Sequence, residues 1–144
     1  MAANTSPIFI LTPNTPIVTL ATASTARNPT GAASASLVTL FVAGVSGSRV
    51  DSVTFTSAAS GAYAASSAMV QRIYLTDTAS ANPRLIAEVA TATTTPSATA
   101  IGAQSIVNFT NGLLMQSGSK LQVAQSVYAS DVDTFHVLAK GGDY

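Results

Sequence analysis

Cysteine and tryptophan are absent from the 144 residues, and His136 is the single histidine. Without cysteine there is no disulfide framework and no thiolate metal site, and one histidine cannot build a multi-histidine metal centre. Charge is scarce too. Six Lys and Arg balance six Asp and Glu, charged residues make up 8% of the chain and the formal net charge is zero, where an average domain carries about 25% charged residues. The cations Arg27, Arg49, Arg72, Arg84, Lys120 and Lys140 are scattered along the sequence. A nucleic-acid partner needs them clustered on one basic face, so none is expected. No apolar run approaches the ~18 residues of a membrane-spanning helix. The run from Pro7 to Leu11 is short and has no Lys or Arg before it, so it does not read as a secretory signal.

What is present is small and weakly polar: 26 alanines, 19 threonines and 18 serines. Sustained 3.6-residue periodicity is missing, and alternation with turn residues between the runs dominates. The spacing predicts eight strands: Ile17–Ala21, Ser36–Ala43, Arg49–Thr56, Ala68–Thr76, Arg84–Ala92, Ile101–Thr110, Lys120–Val127 and Thr134–Ala139. Ser36–Ala43 is apolar nearly throughout, which predicts cover on both faces. Asn111-Gly112 reads as a turn dipeptide, and the small-residue stretch 57–67 as a long loop or lip. Short strands at this spacing give an all-β fold, an antiparallel β-sandwich of jelly-roll type. One domain over residues 17–144 is expected, preceded by an extended arm, residues 1–16, in which Pro7, Pro13 and Pro16 remove ladder donors.

Catalytic chemistry is thin. His136 is the one candidate general base, with Asp131 or Asp133 to orient it, but on an alternating strand it reads first as a half-exposed strand residue. Asp131-Val132-Asp133 offers two carboxylates, too few for an oxygen cage around Ca²⁺. No P-loop, G-x-G-x-x-G or G-x-S-x-G occurs. Neither an enzymatic activity nor a cofactor is therefore expected. Tyr63, Tyr74 and Tyr128 would be the platform of a sugar-binding module, though aromatics are only 6% of the chain.

Three stretches carry a family resemblance. The first combines Ser6–Gly31 with Leu37–Phe55, which contains V-T-x-F-x-A-G-x-x-G-x-R-x-D through Thr39, Phe41, Ala43, Gly44, Gly47, Arg49 and Asp51. The second, Ala68–Ser97, ends on Pro96-Ser97. The third runs from Leu113 through Gly118, Leu121 and Val123 to the closing Gly141-Gly142-Asp143-Tyr144. Their order resembles small structural proteins of tailed bacteriophages, most of all capsid decoration (cement) proteins. The resemblance implies a virion component made in the host bacterial cytoplasm, with the major capsid protein as partner. It equally accommodates a tail, neck or head-fibre protein, and it supplies no catalytic residue. A homo-oligomer is expected, three-fold before two-fold because capsids offer three-fold sites. The candidate contacts are the arm (Pro7, Ile8, Phe9, Ile10, Pro13 and Pro16), Tyr63 in the small-residue loop, and Gly141, Gly142, Asp143 and Tyr144, where the tyrosine would be an anchor on a flexible stem.

Overall fold

A computed structural model of the chain describes residues 10–29, 36–58, 65–77 and 82–144. They form nine strands: β1 (Thr12–Asn14), β2 (Ile17–Leu20), β3 (Val38–Val42), β4 (Ser48–Ser57), β5 (Met69–Thr76), β6 (Arg84–Thr91), β7 (Gln104–Met115), β8 (Lys120–Gln125) and β9 (Phe135–Asp143). A 3-10 turn at Asp131–Asp133 precedes β9.

All strand pairings are antiparallel, and four of them are nested: β5 with β6, β4 with β7, β3 with β8 and β2 with β9. Rolling that nested ribbon sets β9 against β4 and β8 against β5. The result is the jelly roll of two stacked sheets, ordered β2-β9-β4-β7 and β3-β8-β5-β6. β1 adds to the first sheet beside the C-terminal half of β9, with Thr12 opposite Asp143. Residues 10–16 thus run as an extended edge, in which the Pro16 carbonyl accepts the Ala139 N–H at 3.1 Å.

Alternation sorts the core. Val53 and Phe55 of β4 and Phe135, Val137 and Ala139 of β9 point inward and are fully buried, as are Ile73, Leu121 and Val123 from the second sheet. Each large apolar side chain so buried contributes about 1.5–3 kcal/mol. Between them Thr54, Thr56 and His136 face out.

Four local expectations are corrected. β3 is not covered on both faces: Leu40 bulges out of the ladder between Thr39 and Phe41, so Leu40 and Phe41 both turn inward and Val42 is left half exposed. The strand covered on both faces is β5. Residues 21–29 strap its outer side, with the Ser24 N–H on the Gln125 carbonyl at 2.8 Å and Tyr74 buried with Leu37, Ala124 and Leu85. Asn111-Gly112 is not a turn between strands. The two residues have φ of 65° and 77° and form a bulge inside β7, where the four residues 109–112 lie opposite Asp51 alone. Such bulges take residues that tolerate the left-handed region. The sixth expected strand accordingly starts later, at Gln104, and runs on to Met115. Finally, the stretch 57–67 is not a free lip at its end. Ser66 is buried, and Ser67 donates to Asp133 from its backbone N–H at 2.7 Å and its hydroxyl at 3.1 Å.

Candidate interaction surface

One end of the sandwich gathers residues 10–14 and the C-terminal residues of β9. β9 continues past Ala139 through Gly141 and Gly142 to Asp143, flanked by β1 on one side and β4 on the other. Glycine is required there because the neighbours approach too closely for a side chain. A Cβ on Gly141 would overlap the Arg49 carbonyl and lie 2.9 Å from the Val50 Cα, and one on Gly142 would overlap Ile10 and the Thr12 carbonyl. The expected flexible stem is therefore a correction: Gly141 and Gly142 are buried residues of a central strand.

The turn between β3 and β4 closes over this end. Asp143 Oδ1 accepts the Ser48 hydroxyl and, at 3.3 Å, the Gly44 N–H. Beyond it the Tyr144 N–H reaches the Gly47 carbonyl at 3.2 Å, while the Leu11 N–H meets the Asp143 carbonyl at 2.9 Å. Two stretches remote in sequence, Gly44–Asp51 and Gly141–Tyr144, thereby form one structural unit with β1. Of the candidate contacts, Ile10, Pro13 and Gly141–Tyr144 are brought together, Pro16 lies one step along the same edge, and Pro7, Ile8, Phe9 and Tyr63 fall outside the described residues.

Sequence reading missed the apolar surface of this end. Leu11 is 77% exposed, Val42 50%, Val45 94% and Leu114 66%. Leu114 stands abreast of Arg49, Gly142 and Pro13 across the four neighbouring strands. A signal existed: a valine at the second position of a Gly-x-x-Gly turn, where polar residues usually sit. Nearby, Arg49 Nε pairs with Asp51 at 2.7 Å. Exposed aliphatics around a hydrogen-bonded frame are suited to burying against another surface.

The residues weighed for chemistry are engaged elsewhere. Asp133 is buried and accepts from Ser67 twice and from the Ala129 N–H at 2.9 Å. Asp131 takes the Tyr128 hydroxyl at 3.0 Å, which pushes the Tyr128 phenol above its ordinary pKa. His136 is exposed on β9 with Thr19 and Thr56 as its cross-strand neighbours. Among the described residues no cluster of three or more His, Asp or Glu could hold a metal. Tyr74 does not belong to a sugar platform: it is fully buried, with its hydroxyl on the Ala26 carbonyl at 3.0 Å, and burial raises its pKa. The densest polar network lies on the second sheet. Glu88 is held by Arg27 at 2.7 Å and by Arg72 at 2.9 Å, and their hydrogen bonds lower its pKa. Arg72 also ties down the Ser24 carbonyl at 2.9 Å, so the network fastens the strap.

No protein-family model matches the chain, and no curated protein is significantly similar to it.

Proposed function

We propose that the chain is a non-enzymatic structural protein of a tailed-phage virion, a capsid decoration protein that sits on the outer face of the shell and stabilises junctions between capsomers. The observation that carries this reading is the exposed aliphatic end built by β1, the β3–β4 turn and the C-terminus. Its frame consists of the residues on which the family resemblance rests, Gly44, Gly47, Arg49 and Asp51 with Gly141–Tyr144. The jelly roll does not decide the matter, because that architecture hosts capsid, lectin and enzyme domains alike. The rest of the surface is consistent with life in a lattice. Ala, Ser and Thr side chains cost little entropy to immobilise, and many weak copies sum by multivalency.

The test is cosedimentation of the purified chain with undecorated heads. Stoichiometric binding is expected, and it should be lost in a Leu11→Glu/Val45→Glu variant that melts like the wild type. Absence of binding to any head or tail assembly defeats the proposal. Copy number in purified particles separates the sites: hundreds of copies place the protein on the shell, a handful on the neck, tail or a head fibre.

A further inference from the structure

The two sheets end in four edges, and three carry devices against pairing with another chain. The β1–β2 edge contains Pro13 and is interrupted by Pro16. β3 is five residues long and bulged at Leu40. β6 carries Arg84 and Glu88. Short strands, prolines, bulges and charges are the usual means of blunting an edge.

The fourth edge, β7, is different. It is the longest strand at 12 residues, pairs only with β4 among the described residues, and contains neither proline nor an ionisable side chain. From Gln104 to Asn108 its register with β4 is unbroken, and the bulge begins only after that. Unpaired backbone groups along such an edge specify an extended strand as their partner.

We infer that β7 pairs antiparallel with β7 of a second copy of this chain about a two-fold axis. Opposite residues of an antiparallel pair share a face, so on a two-fold one residue must stand opposite itself. The straight segment 104–108 is centred on Ile106, and placing Ile106 opposite its copy engages the whole segment. Ile106, half exposed, then packs directly against its own copy at the axis, with Gln104 opposite Asn108 on the same face. Near the axis a charge would meet an identical charge close by, and β7 carries none. The axis is two-fold, so this geometry replaces the three-fold assembly expected from capsid symmetry. It is also independent of the proposed virion role, because the purified chain alone reads it.

Sedimentation equilibrium of the full chain over micromolar concentrations tests the inference. A dimer is expected. Ile106→Lys, on the solvent side of the edge, should raise the dimer dissociation constant by about tenfold or more with the melting curve retained. Ile106→Cys should form an interchain disulfide under mild oxidation, since directly opposed Cα atoms about 4.5–5.5 Å apart lie within disulfide range. His136→Cys, two strands inward, should not. A monomer, a trimer, or a dimer that withstands Ile106→Lys overturns the inference. A monomer whose β7 amides become protected only on assembled heads would instead assign the edge to a capsid strand.

Discussion

Asp143 Oδ1 accepts the hydroxyl of Ser48, 95 positions earlier in the chain. Ser48 is fully buried, and its oxygen in turn accepts the Gly44 N–H at 2.9 Å. One carboxylate therefore joins the end of β9, the start of β4 and the turn that precedes it. The exposed Val45 is carried on that turn, so the shape of the apolar end depends on this clasp.

Asp143→Ala should cost about 1.5–3 kcal/mol, the range for losing hydrogen bonds to a charged group and leaving a buried hydroxyl unpaired. Asp143→Asn keeps a neutral acceptor and should cost less. Urea unfolding reads both, as a shift of midpoint at constant m-value. Because the turn loses its anchor, Asp143→Ala should also weaken head binding by more than its residual folded fraction explains.

Gly141→Ala should be destabilising although alanine is the better residue on entropic grounds, where it gains about 0.4–1 kcal/mol. The added methyl meets the backbone of Arg49 and Val50, which cannot swing aside as a side-chain tip would. Parting β9 from β4 puts the expected net loss at about 1–3 kcal/mol. Thermal unfolding should show it as a drop of about 3 °C per kcal/mol.

Asp131 and Asp133 should behave oppositely. Asp133→Ala takes the acceptor from the part-buried N–H groups of Ser67 and Ala129, at a cost of about 1–3 kcal/mol. Asp131→Ala removes only an exposed bond to Tyr128 and should stay within about 0.5 kcal/mol of wild type. A denaturation series on the two variants checks the contrast, and a reversed order would remove the structural role assigned to Asp133.

That contrast marks what could be read in advance. Alternation alone identified the inward residues of β4 and β9, because a period of two leaves Val53, Phe55, Phe135 and Val137 no other face. The all-β sandwich class followed from strand number and spacing. The two aspartates were indistinguishable because their roles depend on Ser67, 66 positions before Asp133, and sequence spacing carries no such distance. The C-terminal glycines read as a loose tail for a related reason. Glycine serves flexibility and close approach equally, and only the neighbouring backbone decides between them. The bulges at Leu40 and Asn111 were hidden because a bulge appears only against its partner strand. The aliphatic end was missed because Leu11, Val42, Val45 and Leu114 lie on four separate segments.

Acid should loosen the strap over β5 through Glu88. Hydrogen bonds from Arg27, then from Arg72, lower its pKa in the folded chain. A carboxylate whose pKa is lower folded than unfolded adds stability that is complete above the unfolded value and disappears as pH falls through the folded one. The wild type should therefore hold its margin over Glu88→Gln at neutral pH and lose it as pH drops below the ordinary carboxylate range. Denaturation midpoints of the two proteins against pH should converge at the acid end, since protonated glutamate and glutamine are then alike in charge. Salt separates the two arms of the network. The Arg27 arm is exposed and should be screened, whereas Arg72 is largely buried and its hold on Glu88 and Ser24 should survive. Curves that stay parallel down to low pH would show that Glu88 contributes nothing through its charge, leaving Tyr74 and the backbone bond from Ser24 to fasten the strap.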